Sequence, residues 1–248
     1  MARTPAGITR WRVAQRYEQG YWAAWADGIV AGALPQLDWY RWRADQLAAR
    51  LAAARVSDVL AGTARVLEVG SGPVGIAGFL PAAEALLIDP LEEYYASNAV
   101  LSAHRSPRGV YRAGVGEALP ADSGRYDLAI SDNCIDHVRT VAAVMAELRR
   151  VLQPGGVLYL TVNCRTRLGF AVHRVLSLLR LDPGHPHTFT PRRVERLLRA
   201  NHFDPLLVEV ASYAEAWRQD LRSRELVGVA KAVLGVSEFL ATFVAKRL

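Results

Sequence analysis

Cysteine is nearly absent from the sequence. Cys134 and Cys164 are the only two, and they lack the spacing of metal ligands. That excludes a disulfide-stapled scaffold and fits a reducing, cytoplasmic setting. Lysine is as scarce, confined to Lys231 and Lys246, so the basic residues are nearly all arginine. Because genome composition can set the choice of arginine over lysine, the formal charge of +6 says little by itself about partners. An apolar run of membrane length is also missing. The most apolar late stretch, Leu226 to Val244, is broken by Lys231 and Glu238, so no stable membrane insertion is expected. The start carries Arg3, Arg10, Arg12 and Arg16 but no apolar core behind them, and no secretory signal is expected. Repeats and low-complexity linkers are lacking too. What is present in quantity is hydrophobic residue, 51% of 248, ample for a buried core. That length suits one α/β domain with an appendage, or two small domains.

The appendage is residues 1–56, an aromatic-rich helical cap that holds five of the six tryptophans. Tyr21 and Trp25 are spaced i,i+4, and Trp22/Trp25 and Trp39/Trp42 i,i+3, so each pair shares a helix face. Residues 57–248 form the second unit. Its first part alternates short β-rich runs with helical patterns, which implies parallel βαβ units. The spacing predicts strands at Arg65–Val69, Ala85–Ile88, Val110–Arg112, Tyr126–Ser131 and Val157–Val162. Helices are predicted near Gly75–Leu80, Tyr94–Ala103 and Val141–Val151, the last stopped by Gln153-Pro154-Gly155-Gly156. A helix near Phe170–Leu179 follows, then one starting at Thr190-Pro191 with Thr190 as cap. Two final strands, "DPLLVEVASY" and "SEFLATFVAKR", complete the pattern.

The first strand runs into "VLEVGSGPVG", a G-x-G-x-x-G at Gly70, Gly72 and Gly75. A glycine turn between strand and helix brings backbone N–H groups close to a ligand, and the helix dipole adds positive potential. Asp89 ends the next strand nineteen residues after Gly70, where a carboxylate can bind ribose hydroxyls, although it could also cap a helix. NAD and other adenosine-bearing cofactors both remain open on these residues. Glu68 favours a different cofactor from NAD: a carboxylate two residues ahead of the first glycine suits a ligand that carries positive charge.

"VLEVGSGPVG", "LLIDPL", "GEALPADSGRYDLAISDNCIDHV" and "ELRRVLQPGGVLYLTVN", in that order, resemble the class I S-adenosylmethionine-dependent methyltransferases, type 11 branch. The resemblance is close over 66–164 and continues through "HTFTPRRVERLLRANHFDPLLVEV" to about 210. It implies a Rossmann-like, doubly wound α/β sheet of seven strands, five parallel and a C-terminal antiparallel pair, and it implies S-adenosylmethionine as cofactor. Glu68, Gly70 and Gly72, with Ser71 between the glycines, would line the methionine end. Asp89 would bind the ribose diol beside Pro90, Gly116 and Glu117 would border the adenine, and Asp132 completes the expected cofactor set. Two positions depart from the family pattern. Val74 stands where its third glycine is usual, with Gly75 one place later, and Val115 replaces a frequent acidic residue near the adenine. Gly75 is read as permitting close helix–strand packing, and Gly155 and Gly156 as turn formers.

The acceptor side is less marked. His137, just past the fourth strand, is the candidate general base, with His187 and His185 on a Pro-rich connection as further candidates. Asp132 and Asn133 with Asn163 partly match the oxygen ligands of magnesium-dependent relatives, but a second carboxylate is missing and no metal is expected. A zinc site at His185 and His187 lacks partner ligands. Both cysteines read as buried small residues. The tryptophan-rich cap reads as a lid over the acceptor or as packing across the sheet. Asp27, Asp38 and Asp45 weaken a third reading as a membrane-surface helix. The expected activity is methyl transfer to a small-molecule acceptor, at oxygen rather than nitrogen, on a sugar, glycolipid or secondary metabolite. One alternative is RNA methylation, since 139–199 holds eleven arginines against Glu147, Asp182 and Glu195. No appended nucleic-acid module accompanies them, so neither RNA nor DNA is an expected partner. The other alternative is a non-catalytic cofactor-binding protein of the same fold. Nothing in the sequence fixes an oligomeric state.

Overall fold

The computed structural model describes residues 6–178 and 186–248. Two helices, α1 (Ala6–Val30) and α2 (Trp39–Ala53), precede a seven-stranded sheet. Its strands are β1 (Arg65–Val69), β2 (Glu84–Asp89), β3 (Gly109–Ala113), β4 (Tyr126–Asp132), β5 (Leu152–Cys164), β6 (Phe203–Val210) and β7 (Phe239–Arg247). They lie in the order β3-β2-β1-β4-β5-β7-β6. The first five are parallel, and β7 runs antiparallel to both β5 and β6. This is the predicted doubly wound sheet. Connections from β1 lead outward to one side and from β4 to the other, so a crevice opens at the carboxyl ends of β1 and β4.

The central strands are buried on both faces, which is why they read as nearly unbroken apolar runs. One face carries α5 (Val141–Val151) and α7 (Pro191–Ala200), whose Val144, Met145, Leu148, Val194 and Leu198 are fully buried against it. The other face carries the cap. Tyr40, Leu47 and Leu51 of α2 join Val66, Leu128, Ile130 and Tyr159 in one cluster, with Trp22 and Ile29 of α1. Packing against the sheet, the first of the two expected roles met here, is therefore real.

Several helices differ from expectation for local reasons. The helix predicted near Gly75–Leu80 is only a 3-10 turn, Ala77–Phe79, because Gly75 has left-handed backbone at φ 72° and Pro81 keeps Leu80 extended. The helix predicted at Tyr94–Ala103 is two pieces, α3 (Glu92–Ser97) and α4 (Ala99–Ser102). Asn98 divides them: its side-chain oxygen caps the N–H groups of Val100 and Leu101. Thr190 holds the cap position of α7 without a side-chain bond, so Pro191 sets that start alone. α6 (Arg167–Leu178) is present, whereas the end of its predicted span at Leu179 lies outside the described residues. Two helices were not anticipated, α8 (Tyr213–Leu221) and α9 (Leu226–Val233), inserted between the last two strands. Ser212 accepts the Glu215 N–H at the start of α8, a cap pattern visible in the sequence. Among the described residues no helix is long and apolar enough to cross a membrane.

Candidate active site

The glycine loop after β1 is held from below. Glu68 is 1% exposed, and its Oε2 accepts the N–H groups of Ile76 and Ala77, both at 2.8 Å. Burial pushes its carboxyl up to about 8, against the pull of those two bonds. Glu68 therefore shapes the loop as well as lining the cavity above it. Gly70, Gly72 and Gly75 have φ of 71, 60 and 72°, the left-handed region that favours glycine. A Cβ on Gly75 would run into Leu87 of β2, so the glycine one place later than the family's does the packing task foreseen for it. A Cβ on Gly70 would overlap Cys134 Sγ and Cβ.

Gly70→Ala should thus cost about 1–3 kcal/mol in overpacking and about 1–2 kcal/mol in backbone strain. Thermal denaturation should show a melting temperature lower by roughly 5–15 °C. Gly62→Ala, where a Cβ meets nothing within 4 Å, is the control and should melt like wild type. Equal melting of Gly70→Ala and wild type would refute this reading of the loop.

Asp89 closes β2 and works in two directions. Its Oδ1 accepts the Leu91 N–H at 2.8 Å and its Oδ2 the Gly72 N–H at 3.0 Å. The local cap contact is therefore real, and the same carboxylate faces the cavity together with Pro90. Burial is the main force raising its pKa to about 6; the amide bonds oppose it, while Glu18 and Glu92 add to it. Glu117 lines the cavity beside Gly114 and Gly116, but its Oε1 also accepts the N–H groups of Arg139 and Thr140, at 2.6 and 3.1 Å, fastening the approach to α5. Asp132 is ion-paired with Arg43 from the cap and accepts the Thr161 hydroxyl at 2.5 Å.

These groups surround one cavity of about 390 Å³ at the carboxyl edge of β1, β2 and β4. The cap supplies its opposite wall through Trp11, Trp22, Trp39, Tyr40 and Arg43. The Tyr40 hydroxyl would lie only 3.0 Å from a Cβ on Gly72, so the cap closes directly onto the glycine loop. Two contacts fasten it there: the Arg43–Asp132 pair, and Arg139 stacked over Trp11 at 4.8 Å. The cap is both sheet packing and cavity wall. The aromatic spacing was the signal for that wall; Arg43 gave none.

The histidines separate. His137 lines the cavity, with Nε2 3.8 Å from Oδ1 of the buried Asp136. His187 is not in the cavity wall. Its Nε2 is 2.9 Å from the Val138 carbonyl and its backbone N–H meets the Asp136 carbonyl, so it braces the segment that carries His137. His185 lies outside the described residues. Asn133, at φ 52°, accepts the Asn163 N–H through its side-chain oxygen. With Asp132 on Arg43, two of the three side chains weighed for magnesium are engaged within the protein. Among the described residues no group of three or more His, Cys, Asp or Glu side chains is placed to hold a metal. Cys164 is buried, and Cys134 lies in the cavity wall with its thiol pushed well up by burial.

The family model of a methyltransferase domain matches residues 67–160. A ubiquinone biosynthesis O-methyltransferase of Rhizobium johnstonii is 26% identical over 155 residues, and the match covers 58% of each protein. The chain thus spans little more than half the length of that curated relative. Among solved structures, geranyl diphosphate methyltransferase in complex with SAM is 16% identical with a TM-score of 0.58, over 86% of this chain and 92% of that one. The [4+2]-cyclase SpnF is 19% identical with a TM-score of 0.53, covering 79% and 81%. Likenesses at such identities establish the fold, and the cyclase illustrates that the fold alone does not set the reaction. Residues 67–160 thus match a methyltransferase domain, and the sheet around them has the fold of solved methyltransferases.

Proposed function

We propose that this protein transfers a methyl group from S-adenosylmethionine to the hydroxyl of a small molecule. Residues 57–248 act as the catalytic domain and residues 1–56 as the cap over it. The observation that carries this reading is a single cavity in which the Glu68-supported glycine loop, the Asp89 carboxylate and the aromatic cap face one another. The residues present fit the cofactor. Gly70 and Gly72 leave backbone exposed for close approach, Asp89 offers carboxylate oxygens to hydroxyl donors, and Glu68, raised by burial to about 8, would be drawn to its ionised form by a positively charged ligand. Ser71 lies beside the methionine end, Pro90 beside the ribose, and Gly116 with Glu117 at the adenine.

When bound, S-adenosylmethionine supplies an already electrophilic methyl group. What remains for the protein is to orient the acceptor, exclude water and receive a proton. Trp11, Trp39 and Val138 give the apolar walls that keep water out, and His137 is the base within reach of an acceptor hydroxyl. His187 holds the His137 segment in place and does not itself accept the proton. A sugar, a glycolipid and a secondary metabolite are all acceptors of this kind. The curated relative's name, a ubiquinone biosynthesis O-methyltransferase, supports oxygen as the atom methylated. Incubating the protein with S-adenosylmethionine and a panel of hydroxylated metabolites should release S-adenosylhomocysteine with at least one of them. Tight cofactor binding with no turnover on a broad panel would favour a non-catalytic cofactor-binding protein instead.

A further inference from the structure

Glu18 comes from the cap, yet it lines the same cavity as Asp89 and Pro90, near enough to act electrostatically on Asp89. Its Oε1 accepts the Trp22 indole N–H at 2.9 Å, one helical turn further along α1. Trp22 is buried, lies against Gly72, and meets Tyr95 of α3 edge-on at 6.3 Å between ring centres. That packing holds the indole in place, and the indole in turn holds the Glu18 carboxylate.

Two carboxylates facing one small space repel each other, and Glu18 contributes to the upward shift of Asp89. Among the described residues that line the cavity, Arg43 is the sole arginine or lysine, and it is paired with Asp132. The wall around Glu18 and Asp89 therefore offers acceptors without a cation to balance them. A ligand that donates hydrogen bonds to both would relieve the repulsion, and a vicinal diol has the two donors required.

We propose that Glu18 is a second carboxylate of the nucleoside site, receiving one ribose hydroxyl from the cap side while Asp89 receives the other from the sheet. This rests on the reading of the cavity as a cofactor site. It makes the site bipartite: the ligand ties α1 to β2, so cofactor affinity and docking of the cap are linked.

Calorimetric titration with S-adenosylhomocysteine and with its 2′-deoxy and 3′-deoxy analogues tests the assignment. Glu18→Ala should weaken S-adenosylhomocysteine binding by ~10–100-fold. Glu18→Gln, which keeps an acceptor for Trp22, should fold as wild type does and lose ~10-fold. Against the analogue that lacks the contacted hydroxyl, both variants should bind as wild type does, because the interaction is already gone. Equal losses for all three ligands would overturn the proposal and assign Glu18 to positioning Trp22. Unchanged affinity for S-adenosylhomocysteine in a folded Glu18→Gln protein would overturn it as well. A wild-type protein that takes up none of the three ligands would overturn the cofactor reading itself, and this inference with it.

Discussion

His137→Asn should lower the rate of methyl transfer by ~10²–10⁴ while leaving S-adenosylhomocysteine affinity nearly intact. His137 is the histidine in the cavity wall, it follows β4 at the carboxyl edge of the sheet, and Asp136 lies 3.8 Å from its Nε2. Asparagine keeps the polarity and approximate size but cannot take the proton. A rate within a few-fold of wild type would leave proximity and orientation as the source of catalysis.

Asp89→Ala should reduce S-adenosylhomocysteine affinity by ~10–100-fold, since a charge-assisted hydrogen bond to one ribose hydroxyl contributes about 1.5–3 kcal/mol. Part of the loss will come from the loop, because the same carboxylate holds the Gly72 and Leu91 amides. Asp89→Asn separates the contributions by keeping one acceptor oxygen. A pH dependence follows. Hydroxyl donors favour the ionised carboxylate, so the bound pKa lies below the free value of about 6. Protons then compete with the ligand, and affinity should be level above that value and fall as pH drops through it. Calorimetry across pH 5 to 8 reads both effects (the interval is about one unit below to two above that value). An Asp89→Ala protein that binds as tightly as wild type would remove Asp89 from the ribose role.

The sheet was legible because its chemistry is local and repetitive. Parallel strands covered on both faces need apolar residues at nearly every position, and "VLEV", "ALLI" and "LAIS" state that openly. The glycine loop was legible for the same reason: Gly70, Gly72 and Gly75 are demanded by left-handed backbone and close contact. Helix boundaries were harder. The turn at Ala77–Phe79 is short because Gly75 has left-handed backbone, out of which no helix starts, and Pro81 keeps Leu80 extended. The break at Asn98 rests on a cap that the periodicity hides. The cavity's far wall was least legible, since Arg43 on Asp132 and Trp11 under Arg139 join residues distant in sequence, which no spacing rule connects. His187 resembled His137 in sequence terms; its place outside the cavity wall and its contact with the Val138 carbonyl set the two apart.

Thermal denaturation with S-adenosylhomocysteine, NAD and NADP compares the two ligand classes that a glycine-rich loop after a first strand admits. S-adenosylhomocysteine should raise the melting temperature progressively with concentration, by mass action on the folded state, and the two dinucleotides should leave it unchanged. A shift with NAD or NADP and none with S-adenosylhomocysteine would contradict the reading of this cavity as a methyltransferase cofactor site.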